Sequence, residues 1–317
     1  EGWKRIKLGK VLDYEQPINY IVKSENYDQK SGIPVLTAGK TFILGYTDET
    51  EGVFKDVPVI IFDDFTTESK FINFSFKVKS SALKILKLGY DRNNIYFLYN
   101  AMQILNFNPG SEHKRYWISE YSNTVIPLPS LPEQEKIAEI LETVDNTIEK
   151  TDAIIEKYKR IKQGLMQELL TKGIDSNWKI RSEKTHKFKD SPLGKITEEW
   201  EVKKLGEINH IIMGQSPNSS LVNKIGNGIA FLQGNAEFTD KYPNPTNWIE
   251  KPLKIANKGN ILISVRAPIG ALNITDRQYC IGRGLASIEP YNNLTDKFYL
   301  WNFIHFHINE LIKLGQG

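Results

Sequence analysis

The sequence predicts an α+β protein made of two strand-rich domains joined by a long coiled-coil-type α-helix. Two observations lead to this prediction. Short motifs recur in the same order in the two halves of the 317-residue chain, and a segment with heptad spacing separates the halves. Because 40% of the residues are hydrophobic, each half has enough apolar side chains to form a core of its own.

The internal repeat starts at a tryptophan in each half and continues through apolar and aromatic strings. The offset between the copies stays between 196 and 202 residues, as expected for one duplicated domain with small loop insertions. The alternative is chance matching of short apolar strings. The matching pairs are Trp3–Gly9 with Trp200–Gly206, Gly32–Leu36 with Gly228–Leu232, Val59–Phe62 with Ile261–Ile263, and Tyr96–Asn100 with Phe298–Asn302.

Within each copy, short β-branched and aromatic runs alternate with Gly, Pro, Asn and Asp, which is typical of strands and turns. One helical stretch is predicted in each copy, over residues 94–105 and 296–312. Each copy is therefore expected to be an α+β domain dominated by strands.

The segment between the copies is expected to form the long helix. Ser130–Glu133 has the form of a capping box, and Gly173 lies where a helix should stop. The first half of the segment is acidic and the second half basic, as the helix dipole favours. The alternative is an ordinary amphipathic helix lying across a core. Heptad counting predicts an apolar stripe for a partner helix, made of Ile137, Ile140, Val144, Ile154, Tyr158, Ile161 and Leu165.

These patterns divide the chain into four parts. We expect a first domain over residues 1–129, the spacer helix over 130–173, a linker over 174–194 and a second domain over 195–317. The first copy runs on into the spacer helix, whereas the second ends soon after Asn302. A second, distal helix is therefore expected to be missing from this sequence.

Composition excludes several classes of protein. The net charge is only +3, with 41 Lys+Arg against 38 Asp+Glu, so affinity for a polyanion must come from local patches. Cys280 is the single cysteine, which excludes a disulfide framework and a zinc site built on paired cysteines. No signal peptide or membrane-spanning run is apparent, and a reducing cytoplasm is the expected location. No metal or cofactor is expected.

Three strings of the chain resemble a known family. Leu128–Ile137, Ala138–Leu141 and Lys162–Leu170 are similar to the proximal conserved helix of type I restriction-modification specificity subunits. The two copies resemble the target-recognition domains of the same subunits. The second does so at Trp200–Gly206, Met213–Pro217, Lys258–Gly270 and Cys280–Ala286, and the first at Ala38–Tyr46 and Val59–Phe65.

The resemblance implies a non-catalytic DNA-recognition subunit. Each domain would read one half of a split double-stranded target, and the helices would dock methyltransferase subunits whose complex recruits a restriction nuclease. A homodimer through the spacer helix is a further expectation, because a second copy could cover the apolar stripe in place of the distal helix.

In the first copy, the candidates for DNA contact are mainly basic. A lysine-rich stretch carries a local excess of positive charge suited to phosphates, and the Gly-Lys-Thr string at 39–41 adds two donors. A solvated surface face is the alternative. The candidates are Lys40, Thr41, Lys70, Lys77, Lys79, Lys84 and Lys87.

In the second copy, arginines and amides are the candidates for base reading. An arginine can donate two hydrogen bonds to a guanine edge, and an amide can pair with adenine. Structural turns are the alternative. The candidates are Gln215, Ser216, Gln233, Asn235, Arg266, Arg277 and Arg283.

Two other functions are alternatives: a metal-dependent nucleic-acid enzyme and a coiled-coil adaptor that does not bind DNA. Asp63, Asp64, Glu68 and Lys70 are similar to a nuclease metal site, but their close spacing favours a single turn. The Gly39–Thr41 string lacks the glycine that a phosphate-binding loop needs five residues earlier, where Pro34 lies. No catalytic residue is therefore predicted.

Overall fold

A computed structural model describes residues 2–38, 41–89, 92–109, 114–291 and 294–314. The chain divides into two compact units, residues 1–153 and 154–317, and the long helix continues from the first into the second. The finer division of the chain into four parts stays a prediction. None of the helices in these described ranges combines the length and apolar character needed to cross a membrane.

The first unit contains nine strands in its described residues. A four-stranded sheet has the order β2-β8-β5-β6, a three-stranded sheet has the order β4-β3-β7, and β1 pairs with β9. Only β3 and β7 run parallel; the other pairs in these sheets are antiparallel. The strands are β1 (Lys4–Lys7), β2 (Leu12–Glu15), β3 (Ile33–Leu36), β4 (Ile43–Thr47), β5 (Val59–Asp63), β6 (Ser69–Ile72), β7 (Lys77–Val78), β8 (Leu83–Leu88) and β9 (Val125–Leu128).

Two helices of the first unit follow the sheets, α1 (Ile95–Gln103) and α2 (Tyr116–Ser119). The Asn94 side chain caps α1 by accepting the Phe97 N–H at 2.9 Å. A core of apolar side chains lies between α1, α2 and the four-stranded sheet, with Phe62 and Trp117 among its buried rings. Short 3₁₀ turns span Leu8–Lys10, Pro17–Tyr20 and Tyr121–Asn123.

The spacer helix α3 runs over Leu131–Lys172, which confirms the long helix predicted from the heptads. Its 42 residues give a length of about 63 Å at 1.5 Å per residue. Gly173 ends it at φ +64°, and a Cβ there would lie 2.5 Å from the Trp200 ring. Glycine is therefore needed at this stop for both its conformation and its size.

The second unit contains eleven strands in its described residues. A four-stranded sheet has the order β12-β20-β17-β18, a five-stranded sheet has the order β13-β15-β14-β19-β16, and β10 pairs with β11. The strands are β10 (Phe188–Ser191), β11 (Gly194–Thr197), β12 (Asn209–Met213), β13 (Val222–Asn223), β14 (Ile229–Leu232), β15 (Asn247–Ile249), β16 (Ile255–Ala256), β17 (Ile261–Ser264), β18 (Leu272–Ile274), β19 (Tyr279–Ile281) and β20 (Leu285–Pro290). The helices are α4 (Leu205–Ile208), α5 (Lys297–Phe306) and α6 (Ile308–Leu314), with a 3₁₀ turn over Ser219–Leu221.

The two units repeat one topology. Sheet β2-β8-β5-β6 corresponds to β12-β20-β17-β18, and the parallel pair β3–β7 corresponds to β14–β19. The helix that follows is also equivalent: the side-chain amide of Asn100 bonds the Tyr96 carbonyl, and that of Asn302 bonds the Phe298 carbonyl. Three of the four motif pairs noted in the sequence are therefore equivalent positions of two copies of one domain. The pair that starts at Trp3 and Trp200 differs, since Lys4–Lys7 forms β1 and residues 201–204 form no strand.

Candidate nucleic-acid interface

The second domain brings several loops to one edge of its sheets. Gly282 N–H donates to the Leu232 carbonyl at 2.8 Å, and Val265 N–H donates to the Gly284 carbonyl at 2.9 Å. These bonds connect loops that follow β14 and β17 with the loop that precedes β20. We call this surface the second-domain loop edge; it consists of residues 214–217, 233–235, 265–270 and 282–284.

Side-chain contacts at this edge join the predicted polar residues. The Gln233 Nε2 donates to the Ser216 Oγ at 2.7 Å, and the Arg283 N–H donates to the same oxygen at 3.3 Å. The side chains of Gln215, Gln233, Arg266 and Arg283 are exposed there. The edge therefore gathers most of the second-copy candidates, namely Gln215, Ser216, Gln233, Asn235, Arg266 and Arg283.

Glycines allow the loops of this edge to come so close. A Cβ on Gly282 would lie 2.8 Å from the Gln233 side-chain oxygen, and one on Gly284 would lie 2.7 Å from the Gln233 backbone oxygen. Real Cβ atoms do not approach backbone so closely, so larger residues would push the loops apart. Gln233 thus packs directly against the backbone of Gly282 and Gly284, which carry no side chains.

Arg277 is the predicted second-copy residue that lies elsewhere. It follows β18 in a turn near the start of β17, where its neighbour Gln278 bonds Asn257 at 3.1 Å. Its guanidinium pairs with Asp276 at 3.0 Å, and these hydrogen bonds hold the pKa of the Asp276 carboxyl below its usual value. The structure therefore does not join Arg277 to the loop edge.

The first domain has an equivalent edge, fixed by equivalent backbone bonds. Lys79 N–H donates to the Leu36 carbonyl at 2.8 Å, as Gly282 does to Leu232, and Asp64 N–H donates to the Ala82 carbonyl at 3.2 Å, as Val265 does to Gly284. We call this surface the first-domain loop edge; it consists of residues 16–18, 37–38, 41–42, 63–68 and 79–82.

Two predicted first-copy residues belong to the first-domain loop edge. Lys79 and Thr41 are both exposed there, and Lys79 forms no ion pair with any residue that the structure describes. The prediction for Lys40 falls outside the described residues. Lys70 is also exposed, but it lies on strand β6 and not in a loop; its partner on β5 is Ile61.

Lys77 and Lys84 require a correction. Both are buried, at 1% and 0% exposure. The Lys77 Nζ donates to the Glu51 carbonyl at 2.5 Å and pairs with Glu49 at 3.1 Å, while Lys84 pairs with Asp64 at 3.2 Å. A cation already enclosed and paired in the core cannot reach a phosphate, so the DNA-contact assignment of these two lysines is wrong. They lie in strands that are buried on both faces, since Val78 beside Lys77 and both Leu83 and Ile85 beside Lys84 are also buried.

Lys87 is also engaged within the protein. Its ammonium pairs with Glu15 and lies 3.5 Å from the Asp56 carboxylate, and it stands 5.1 Å over the Phe54 ring. The hydrogen bond to Glu15 is the main cause that raises the pKa of Lys87. A phosphate would have to displace these carboxylates, which makes Lys87 a poor DNA contact.

The acidic cluster that resembled a nuclease site has structural partners. The Asp63 carboxylate caps its own turn, accepting the Phe65 N–H at 2.9 Å and the Thr66 hydroxyl at 2.8 Å. Asp64 is fully buried and paired with Lys84. No group of three or more potential metal-ligating side chains occurs in the described ranges. The two aspartates organise the β5–β6 loop.

The spacer helix presents most of its predicted apolar stripe to solvent. Ile137 instead packs against the core of the first domain and is therefore not free for a partner. The remaining members are 44–65% exposed in this chain, and they are Ile140, Val144, Ile154, Tyr158, Ile161 and Leu165.

The comparison with known families decides the identity. A model of the type I restriction modification DNA specificity domain matches residues 1–160 and 197–317. The chain belongs to this family. The chain resembles a solved structure over 99% of its length, with 27% sequence identity and a TM-score of 0.54. That structure is reported as the structural basis underlying complex assembly and conformational transition of the type I R-M system. The S subunit from M. genitalium, at 17% identity and a TM-score of 0.65, shares the fold.

Two curated relatives are type I restriction enzyme specificity subunits. The chain is 40% identical over 244 residues to the putative MjaX subunit of Methanocaldococcus jannaschii, covering 76% of this chain and 54% of that protein. It is 37% identical over 229 residues to the EcoR124I/EcoR124II subunit of Escherichia coli, covering 70% and 52%. The chain thus spans about half the length of these relatives.

Sequence reasoning missed several residues of the first-domain loop edge. Gln16, Thr66, Ser80 and Ser81 lie in its loops, but they carry no charge, so a basic stretch does not reveal them. Comparison of the loops of the two copies would have pointed to Thr66, Ser80 and Ser81, since the loops that follow β5 and precede β8 are equivalent to those that follow β17 and precede β20.

Proposed function

We propose that this chain is the DNA-recognition part of a type I restriction-modification complex, in which each domain reads one half of a split double-stranded target through its loop edge. Methyl transfer and DNA cleavage would be carried out by other subunits. A subunit that binds DNA together with a methyltransferase would act in the cytoplasm, which is the location we propose.

The observation that carries this proposal is the second-domain loop edge. Exposed amide and guanidinium groups from separate loops meet there, and such groups recognise adenine and guanine edges. The Ser216 hydroxyl orients the Gln233 amide, so part of the ordering cost is met before DNA arrives. The membership in the specificity family supports the same role.

The duplicated topology supports the reading of two half-sites. Two equivalent edges with different side chains would select different sequences, and a continuous helix of about 63 Å between the domains would set the spacing between them. The exposed stripe on this helix would dock methyltransferase subunits, since a row of large apolar side chains marks an interface.

Exchange of one domain tests the proposal. Residues 195–317 are replaced by the second domain of another specificity subunit, and the chain is expressed with its own methyltransferase subunits. Sequencing of methylated bases across the host genome should show a split motif for the original chain. We expect the exchange to change one half of this motif and leave the other half intact. A change in both halves would contradict independent reading.

The same stripe suits a second copy of this chain. The acidic half of α3 includes Glu135, Glu139 and Glu142, and its basic half includes Lys157 and Lys162. An antiparallel pair would set opposite charges beside each other, whereas a parallel pair would set like charges together.

Light scattering tests this self-association. The original chain should form a dimer, and the Ile154→Asp, Ile161→Asp double variant should be monomeric, because both side chains are about half exposed in the single chain. An original chain that is monomeric and that binds no methyltransferase subunit would disprove an interface role for the stripe.

A further inference from the structure

The segment after α1 returns to the first-domain loop edge. Tyr116 and Trp117 on α2 are 1% and 2% exposed, and the Trp117 ring lies 5.3 Å from that of Phe62, at the end of β5. Two buried aromatic rings thus anchor α2 beside the strand that leads into the β5–β6 loop. This part of the chain was not among the residues that the sequence singled out.

Asp64 fixes the position of this segment. Its carbonyl accepts the Tyr116 N–H at 2.9 Å, and its carboxylate Oδ1 accepts the Trp117 N–H at 2.9 Å. Its other carboxylate oxygen faces the Lys84 ammonium at 3.2 Å. Asp64 itself begins the β5–β6 loop and bonds the Ala82 carbonyl. One buried residue therefore ties α2 to two loops of the first-domain loop edge.

Arg115 directly precedes these anchored residues. Its side chain is exposed, and its guanidinium forms no hydrogen bond or ion pair with any residue in the described ranges. The loops that we assign to the first-domain loop edge contain no arginine, whereas the second-domain loop edge contains Arg266 and Arg283. Arg115 thus places a guanidinium on a segment that is bonded to this edge but lies outside the sheet loops.

We propose that Arg115 is a specificity-determining residue of the first domain that donates to a guanine edge in the first half-site. This inference rests on the proposed function. A guanidinium forms two parallel hydrogen bonds with guanine O6 and N7. Such a pair needs a fixed starting point, and the two backbone bonds to Asp64 together with the buried rings supply it. A phosphate contact would position the domain on DNA without selecting a base, so a loss of base preference distinguishes the two roles.

The test compares Arg115→Ala and Arg115→Lys with the original chain, each expressed with its methyltransferase subunits, by mapping methylated motifs in the host genome. We expect Arg115→Ala to lose preference at one G·C pair of the first half-site by roughly 5- to 150-fold, with the second half-site unchanged. Arg115→Lys should lose the same preference, because an ammonium keeps the charge but not the planar fork.

Arg5→Ala is the matched control, since Arg5 is an exposed arginine on β1, outside the first-domain loop edge. It should leave the motif unchanged, and thermal unfolding of all variants checks that the domain is intact. A motif unaltered by Arg115→Ala would overturn the inference. So would uniform weakening on all duplexes together with a salt slope reduced by about 0.9, which would identify a phosphate contact. If the original chain directs no split motif, the proposed function itself fails.

Discussion

The two copies of the domain have the same strand topology but carry different side chains at equivalent positions of the sheet. By their backbone bonds, Asp64 in the first copy is equivalent to Val265 in the second. By strand register, Lys84 is equivalent to Ala286. A buried ion pair in one copy therefore corresponds to two apolar side chains in the other. The loop edges differ too, because Lys79 and Ala82 in the first copy stand where the second has Gly282 and Gly284.

This difference shows that the scaffold tolerates opposite chemistry beneath the same loops. In the first copy the ion pair adds an anchor for α2, whereas the apolar pair in the second makes no such bonds. In the second copy Gly282 and Gly284 carry no side chains, which lets the loops meet around Gln233. Selectivity can therefore change through single positions while hydrogen bonds between strands stay the same.

Removing one partner of the buried ion pair should have the largest effect. Asp64→Ala leaves the Lys84 ammonium buried without its counter-ion and should lower the free energy of unfolding by about 3–5 kcal/mol. The Asp64→Val, Lys84→Ala double variant, which copies the second domain, should recover much of this loss. Urea unfolding measures both. Equal stability of Asp64→Ala and the original chain would show that the pair contributes nothing.

Closing the gap beneath Gln233 should have the next largest effect. Gly284→Ala places a Cβ 2.7 Å from the Gln233 carbonyl, and the resulting shift should cost about 1–3 kcal/mol and weaken selection in the second half-site only. The reverse change at the equivalent position, Ala82→Gly, serves as the control in the first domain. Methylated-motif mapping together with thermal unfolding checks the pair. An effect on the first half-site would contradict the independence of the two edges.

Lys79 should contribute charge without base selection. Lys79→Ala is expected to weaken binding to all duplexes similarly and to lower the salt slope by about 0.9, as for one lost phosphate contact. Lys84→Ala should instead reduce stability, since Lys84 is buried. Binding titrations over a range of salt concentrations distinguish the two. Sequence-selective loss in Lys79→Ala would mean that this lysine reads bases.

The smallest effect concerns Tyr96, whose equivalent in the second copy is Phe298. Burial, followed by the hydrogen bond to Asp145 on α3, raises the pKa of Tyr96 to about 12 from the usual 10.0. The folded state thus holds the phenol proton more tightly than the unfolded chain does. The resulting contribution to the free energy of unfolding is fully present below about pH 10 and is lost as the pH rises from about 10 to 12.

Tyr96→Phe removes the hydrogen bond and should cost about 0.5–1.5 kcal/mol near neutral pH. The variant should also lose less stability than the original chain between pH 10 and 11. Urea unfolding at pH 8 and pH 10.5 gives the comparison, with Phe298→Tyr as a control in the second copy. An identical pH dependence of the original chain and Tyr96→Phe would show that Tyr96 does not titrate in this window.

Much of the architecture could be predicted from the sequence. The long helix is expected over residues 130–173 and runs over Leu131–Lys172, and the prediction for the first copy, 94–105, lies within two residues of the ends of α1. The single stretch predicted over 296–312 in the second copy is instead two helices, α5 and α6. Three of the four matched motif pairs are equivalent positions. These features depend on local propensity and on periodic spacing of apolar residues, which the order of residues expresses directly.

The interface was harder to predict because it depends on which direction each side chain faces. A count of lysines between Lys70 and Lys87 cannot distinguish buried Lys77 and Lys84 from exposed Lys79. Packing on both faces of β7 and β8 decides this, since Lys77–Val78 and Leu83–Leu86 are all buried. The segments that cover these strands are distant in the chain. For the same reason, the sequence did not separate Arg277 from the other second-copy candidates.

The amino-acid order by itself determined the repeat, the long helix, the apolar stripe and the family. Only the tertiary structure decided which loops meet at each edge, that Asp64 and Lys84 form a buried pair, and that Arg115 is held beside the first-domain loop edge. The physical reason is that helix periodicity is a property of neighbouring residues, whereas a binding surface is built from residues brought together by hydrogen bonds between distant strands.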